Sequence, residues 1–242
     1  MTDEMISIEE REVWEVVDCP PDRKPVRCRW VFDTKSDGRK CARLVAKGFS
    51  KMPGVDYDET FSPVSCFETV RLLFAIAALE DWDIQALDVK TAFLYGKLDE
   101  EIYMDQPEGF IIKGQERKVY KLKKALYGLK QASLAWYNQA HKSLTQLGFR
   151  RCFSDTGLYI RDNNQSTTIC VLYVDDIMFM GSSLNLINNI KSQFMKIWEC
   201  RDLGPVKEYL GMCIIRSRKM RYLFLIKPLM QPELLNTLVN II

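Results

Sequence analysis

The stretch Thr168–Met180 constrains the fold more than any other part of the sequence. It is almost wholly apolar and rich in β-forming residues, except for two adjacent carboxylates, Asp175 and Asp176. Burying a carboxylate without a partner is costly, and two carboxylates side by side repel each other. Two strands joined by a turn would place the pair at the tip of a hairpin, where it could face a divalent cation. An ordinary turn built on two aspartates is the competing interpretation of the dipeptide alone.

Hydrophobic periodicity predicts the remaining elements. Strands Arg29–Asp33 and Ala42–Ala46 flank the turn signal Ser36–Gly38, which indicates a basic hairpin. Further elements are expected, in chain order, at helix Glu68–Trp82, strand Ile84–Val89, helix Leu129–Leu147, helix Leu184–Ile197 and the strand pair Tyr209–Arg216 and Tyr222–Ile226. Helices and antiparallel strands are mixed without regular βαβ repetition, which predicts an α+β fold.

The composition restricts the chemistry that the chain can perform. Its 242 residues include one histidine, His141, which lies in a polar, helix-like stretch typical of a protein surface. The eight cysteines form no C-x-x-C pair, so neither a zinc site nor a disulfide framework is expected, and most should be small buried side chains. No apolar run reaches the roughly 18 residues that a membrane span needs, and no membrane partner is expected. Any chemistry should therefore depend on carboxylates.

Asp88 supplies a third carboxylate, at the end of the apolar strand Ile84–Val89. If that strand lies beside the hairpin of Asp175 and Asp176, three carboxylates converge. Oxygen ligands without histidine or thiolate select Mg²⁺ or Mn²⁺. Two such ions, about 3.5–4 Å apart, can activate a 3′-hydroxyl and stabilise a leaving pyrophosphate. Taken separately, Asp88 is better explained as an ordinary strand-end carboxylate.

The charge is unevenly distributed although its net value is only +2. Residues 21–51 contain ten basic and three acidic side chains, and residues 113–130 contain seven basic and one acidic. Between them, residues 81–108 contain eight acidic and two basic side chains. Two basic segments around an acidic one suit an anionic polymer held near a cation site, and ordinary solvated loops are an equal alternative.

Six motifs resemble, in the same order along the chain, those of copia-type reverse transcriptases. Each motif alone is a weak signal, but together they cover roughly 8–226. They are Ala42–Gly48, Asp56–Val64, Leu87–Leu94, Leu126–Gln131, Tyr173–Asp176 and Asp202–Gly204.

The resemblance implies a right-hand polymerase fold with fingers over about 20–80 and a palm over about 81–226. The antiparallel palm sheet would be backed by helices, the thumb would be missing or rudimentary, and 227–242 would be a divergent tail. The implied activity is RNA-directed DNA synthesis with Mg²⁺ or Mn²⁺. Its partners would be an RNA template, a primer–template duplex and deoxynucleoside triphosphates. Integrase and ribonuclease H segments would be further partners, in a cytoplasmic virus-like particle of an intact element.

The resemblance also implies roles for individual residues. Asp88, Asp175 and Asp176 match the catalytic, metal-binding carboxylates, with the carbonyl of Val89 as a further ligand. Phe93 matches a bulky residue under the incoming sugar, which would exclude a ribose 2′-hydroxyl, although core packing would explain it equally well. The other implied contacts are Tyr127, Gly128 and Lys130 at the nucleotide and template site, Arg43 and Lys47 over the triphosphate, and Gly204 to Gly211 near the primer terminus.

Several departures from the family pattern leave alternatives open. Cys41 stands where the family usually has a lysine, the hairpin at Lys35–Lys40 is short, and Pro228–Ile242 does not continue the pattern. A truncated relic that folds and binds nucleic acid without polymerising is therefore the second hypothesis. A different palm-type nucleotidyl transferase or cyclase, and a structural or regulatory protein with a fortuitous Asp-Asp turn, are weaker ones.

Overall fold

The computed structural model describes residues 1–34, 38, 40–48, 59–163 and 166–227. Its α-helices are α1 (Thr2–Glu10), α2 (Phe67–Leu79), α3 (Ala132–Gln146) and α4 (Leu184–Ile197). Its strands are β1 (Trp14–Val17), β2 (Cys28–Thr34), β3 (Lys40–Ala46), β4 (Asp83–Val89), β5 (Lys97–Met104), β6 (Val119–Lys124), β7 (Arg150–Arg151), β8 (Leu158–Asn163), β9 (Ser166–Tyr173), β10 (Asp176–Gly181), β11 (Cys200–Pro205), β12 (Glu208–Tyr209), β13 (Met212–Ser217) and β14 (Tyr222–Ile226).

The chain forms two compact units that interleave along the sequence. Unit 1 contains Met1–Pro63 and Thr91–Lys142, and unit 2 contains Val64–Lys90 and Ser143–Ile242. Helix α2 groups with unit 2 because it packs on the same apolar core as β4, β9 and β10. The names fingers and palm stay predictions, and the expected tail lies almost wholly outside the described residues.

Unit 1 contains an antiparallel sheet of order β1-β6-β5 and the antiparallel hairpin β2-β3. Helix α1 contributes Ile8 to the core of this unit, where it is fully buried. The hairpin contributes Leu44, and the segment after β6 contributes Leu126, both also fully buried. One apolar core therefore holds the basic hairpin against the rest of unit 1.

Gly128 marks the closest approach between the hairpin and the segment after β6. The N–H of Ala46 donates to the carbonyl of Tyr127 at 2.8 Å, which fixes the two backbones side by side. Gly128 has φ +87°, and a Cβ there would lie 2.1 Å from the carbonyl oxygen of Ala46. Both the left-handed backbone and the lack of space require glycine at this position.

Unit 2 is built on a six-stranded antiparallel sheet of order β11-β4-β10-β9-β8-β7. On one face, Phe194 of α4 packs edge-on against Phe179 of β10, with ring centroids 6.4 Å apart. On the other face, α2 and the small sheet β12-β13-β14 share a core with β4, β9 and β10, in which Phe74 meets Tyr209 at 6.2 Å. The central strands are therefore apolar on both faces, which explains why Thr168–Met180 is an almost continuous apolar run.

The structure confirms the α+β class and most of the predicted elements, since its helices are combined with antiparallel sheets. The predicted hairpins appear as β2-β3 and β9-β10, and the predicted helices as α2, α3 and α4. Ser36 and Asp37 of the expected turn lie outside the described residues. All eight cysteines are free, but only Cys170 is buried, so the expectation of mostly buried cysteines was wrong. Among the described residues, no helix combines the length and apolar character that a membrane span requires.

We expect Gly128→Ala to destabilise unit 1 by about 1–3 kcal/mol more than Gly114→Ala does. Both glycines have a positive φ, but the space around a Cβ at Gly114 is open. The comparison therefore separates the steric contact with Ala46 from the cost of the left-handed backbone. Urea unfolding of the two variants measures the difference, and equal losses of stability would show that the close approach carries no penalty.

Candidate active site

The pairing of β4 with β10 brings Asp88 and Asp176 together. The two residues are direct cross-strand partners, and the register continues without a break to Asp83 and Gly181. Direct partners project on the same face of a sheet, with their Cβ atoms about 4.5–5.5 Å apart. The sequence prediction required these strands to be neighbours, and the structure confirms that they are.

Asp175 lies in the tight turn between β9 and β10. The turn consists of Val174 and Asp175, and Val174 has φ +54°, which a β-branched residue rarely adopts. The carbonyl of Asp175 accepts a 2.9 Å hydrogen bond from the N–H of Val89, so the turn is fastened to the end of β4. Strained backbone of this kind is found preferentially at functional sites. The role of the Val89 carbonyl as a ligand stays a prediction.

The electrostatics of the hairpin tip fit a group of clustered carboxylates. Partial burial, and after it the negative charges of Asp175 and Asp88, together raise the pKa of Asp176 to about 6. Asp175 itself is exposed, and Asp88 is half-buried. A nearby positive charge would lower the free energy of the ionised state of Asp176.

The side chains do not form a closed metal cage as they stand. Within the described ranges, no group of three or more His, Cys, Asp or Glu side chains is close enough together to hold a metal ion. The backbone register therefore places the carboxylates on one part of the sheet, while their side chains stand apart. The donor set nevertheless has the chemistry that a hard divalent cation prefers, because it consists of carboxylate oxygens.

Strand β11 adds a basic residue that the sequence analysis did not identify. Arg201 is the direct cross-strand partner of Asp88 on the side away from β10. The same row across the sheet continues through Asp176 to Tyr173 of β9. The short segment Cys200–Pro205 has little strand character in the sequence, so nothing in it indicated a pairing with β4.

The Asp202–Gly204 motif is held by a buried lysine. Lys191 of α4 is almost fully buried, and its Nζ donates to Asp202 at 2.6 Å and to Gln85 of β4 at 3.1 Å. Asp202 also accepts a 2.8 Å hydrogen bond from the N–H of Gly204, which has φ +69° and follows a bulge in β11. These contacts give the motif a structural role in fixing the course of β11.

The two glycines predicted near a primer terminus lie in unit 2. Gly204 belongs to β11, and Gly211, with φ +72°, lies in the turn between β12 and β13. Neither would meet a neighbouring atom within 4 Å if it carried a Cβ, so each is explained by its backbone conformation alone. Their proximity to a primer stays a prediction.

Three residues of the predicted substrate set form a contact group in unit 1. The ring of Tyr127 packs edge-on against Phe93 at 5.1 Å between centroids, and the guanidinium of Arg43 lies 5.8 Å from the centre of the same ring. Arg43 also forms a 3.6 Å ion pair with Asp33. Phe93 is half-buried against the apolar core, as the core-packing alternative required.

The other predicted substrate residues, Lys47, Gly128 and Lys130, lie close to members of this group in the sequence. Lys47 follows β3, and its backbone N–H donates to the carbonyl of Arg27 at 2.7 Å. Gly128 is needed for the close approach to Ala46, which gives it a structural explanation. Lys130 is exposed in the turn before α3. Their roles in substrate binding stay predictions.

Comparison with known proteins agrees with the motifs in the sequence. The family model for reverse transcriptase (RNA-dependent DNA polymerase) matches residues 11–229. The chain is 42% identical over 231 residues to the Retrovirus-related Pol polyprotein from transposon TNT 1-94 of Nicotiana tabacum, an alignment that covers 93% of this chain and 17% of the relative. It is also 42% identical over 204 residues to the corresponding polyprotein from transposon RE1 of Arabidopsis thaliana, with 82% of this chain and 14% of the relative covered.

A yeast relative extends the match beyond plants. The putative transposon Ty5-1 protein of Saccharomyces cerevisiae is 36% identical over 131 residues, which cover 54% of this chain and 42% of the relative. The chain spans less than a fifth of the length of the two plant polyproteins. With a family match over most of its length and these copia-like relatives, the chain belongs to the reverse transcriptase (RNA-dependent DNA polymerase) family of retrovirus-related Pol polyproteins.

Proposed function

We propose that this chain is the RNA-directed DNA polymerase domain of a copia-type retrotransposon, and that it adds deoxynucleotides to a primer 3′-end. The observation that carries the proposal is the cross-strand pairing of Asp88 with Asp176, with Asp175 in the adjoining turn. In this family, three carboxylates in these motifs serve as the metal-binding set. The substrates would be an RNA template, a primer–template duplex and deoxynucleoside triphosphates.

Asp88, Asp175 and Asp176 would hold Mg²⁺ or Mn²⁺. Burial raises the pKa of Asp176, and the negative charges of Asp175 and Asp88 raise it too; a divalent cation would favour the ionised form of all three carboxylates. Because the three side chains stand apart, binding would require them to turn toward the ion. Two ions bound there would activate the primer 3′-hydroxyl and stabilise the leaving pyrophosphate.

Arg43, Tyr127 and Phe93 would form part of the nucleotide site. Asp33 and the Tyr127 ring hold the Arg43 guanidinium in one place, which would pre-organise it for a phosphate group. Tyr127 in turn supports the ring of Phe93, which would limit the space available to a sugar. In an intact element the domain would work beside integrase and ribonuclease H segments in a cytoplasmic particle.

A second candidate is a domain that binds nucleic acid without polymerising. Two observations favour it: Cys41 replaces the lysine that the family usually has, and no closed group of metal ligands is present in the described part of the chain. The two candidates share a fold and differ only in activity. Primer extension on an RNA template separates them, because only the first requires a working metal site.

We expect Asp175→Asn to lower primer extension by about 100-fold or more, since a bound cation contributes several kcal/mol of transition-state stabilisation. The assay uses residues 1–242 on an RNA template with Mg²⁺ or Mn²⁺. Asp162→Asn is the matched control, because Asp162 is a carboxylate of β8 that pairs with Arg150 at the surface. An inactive but folded parent would support the second candidate, and an active Asp175→Asn variant would exclude the metal assignment.

The affinity for Mn²⁺ should depend on pH through Asp176. Its pKa of about 6 means that the carboxyl is mostly ionised at pH 7.5 and mostly protonated at pH 5. A proton must leave before the metal binds, so the affinity should fall by about tenfold per pH unit below pH 6 and level off above pH 7. Titration of Mn²⁺ by electron paramagnetic resonance measures this dependence. Asp176→Asn should bind more weakly and lose the step near pH 6, and an unchanged profile would contradict the assignment.

Phe93→Ala should reduce the preference for deoxynucleotides over ribonucleotides by about tenfold or more in kcat/KM, since removing a steric clash is worth roughly 1–3 kcal/mol. Phe110→Ala is the matched control, because Phe110 is also half-buried against the core of unit 1. Both variants should lose stability, but only Phe93→Ala should accept ribonucleotides. If both discriminate as the parent does, Phe93 serves only the core.

A further inference from the structure

Arg201 lies on the same face of the unit 2 sheet as the candidate catalytic carboxylates. It is the direct partner of Asp88 in the pairing of β11 with β4, and Asp88 is the direct partner of Asp176 in the pairing of β4 with β10. Direct partners have Cβ atoms about 4.5–5.5 Å apart on a common face. The row therefore places one basic side chain next to Asp88, with Asp176 one strand further along.

The backbone around Arg201 is fixed from the opposite face. Asp202, the next residue, points to α4, where Lys191 binds it at 2.6 Å. Lys191 also binds Gln85 of β4, so the contact ties both strands to one helix. Because neighbouring residues of a strand alternate between faces, this anchor holds Arg201 on the carboxylate face.

The charge of Arg201 is not used inside the protein. Arg201 is exposed, and within the described residues its side chain makes no hydrogen bond or ion pair. Lys90, the neighbouring base at the end of β4, differs in this respect, because its Nζ binds Glu199 at 2.7 Å. A guanidinium that lies on a fixed face of the sheet and lacks an acidic partner is available to an external anion.

We infer that Arg201 binds a phosphate group of the nucleic-acid or nucleotide substrate beside the carboxylate site. The inference rests on the proposed function for the identity of the substrate. A guanidinium presents five donors in a planar fork that matches the oxygens of a phosphate. The phosphate would belong either to the backbone of the primer–template duplex or to the triphosphate of the nucleotide, and the two sources require separate measurements.

Three variants isolate the contact. Arg201→Gln removes the charge, and Arg201→Lys keeps the charge without the fork. Lys196→Gln is the control, because Lys196 is an exposed base on α4, which packs on the other face of the same sheet. Since Arg201 is exposed and has no partner in the described residues, all three variants should keep the thermal midpoint of the parent.

The first measurement is binding of a fluorescently labelled RNA–DNA primer–template duplex by anisotropy over a range of salt concentrations. The second is calorimetric binding of inorganic triphosphate. For a backbone phosphate, Arg201→Gln should weaken duplex binding by about three- to tenfold and reduce the salt slope by about 0.9, with Arg201→Lys intermediate. For a nucleotide phosphate, the loss should appear with triphosphate and leave the duplex unaffected. Lys196→Gln should match the parent in both.

Duplex and triphosphate affinities of Arg201→Gln within twofold of the parent would overturn the inference. So would an increase in Mn²⁺ affinity as the only change, because Arg201 would then merely balance the charge of Asp88. Neither measurement involves catalysis. A parent that binds but does not extend a primer would count against the proposed polymerase activity and would still test Arg201.

Discussion

The register between β4 and β10 is the constraint on which the rest of unit 2 depends, because it holds Asp88 opposite Asp176. Two carboxylates repel each other, so the strands must be held in place by contacts elsewhere. Ile177, Met178 and Phe179 follow Asp176 directly and are fully buried on alternating faces. A slip of one residue would turn each of these side chains to the wrong face, and the apolar packing therefore opposes separation of the charges.

The edge strand β11 depends on a different kind of contact. Its sequence supplies few apolar side chains. It is held instead by Lys191, whose buried Nζ donates hydrogen bonds to Asp202 of β11 and to Gln85 of β4. A buried charge that loses its partner is left uncompensated, and this strongly destabilises the fold. Lys191 therefore fixes the position of β11 relative to β4. The position of Arg201 relative to Asp88 follows from that contact.

The sequence predicted those parts of the fold that local patterns determine. The apolar run around Asp175, the helical spacing of α2 and α4, and the turn signal after β2 each reflect neighbours in the chain. Strands β1, β5 and β6 were not predicted, because they pair over long separations and carry mixed polar residues. The division into units also depends on contacts between distant parts of the chain, since Thr91–Lys142 shares its apolar core with residues near the N-terminus.

The acidic residues of the candidate site could be predicted from the sequence, but its basic residue could not. Asp88 and Asp176 each interrupt an apolar run, and such an interruption is visible in the sequence. Arg201 is one of many basic residues, and its position becomes informative only once its strand is paired. Across this row, charge passes from positive at the edge to negative at the centre. An anion is attracted at the edge and repelled at the centre unless a cation sits on the carboxylates, so phosphate and metal binding there should each favour the other.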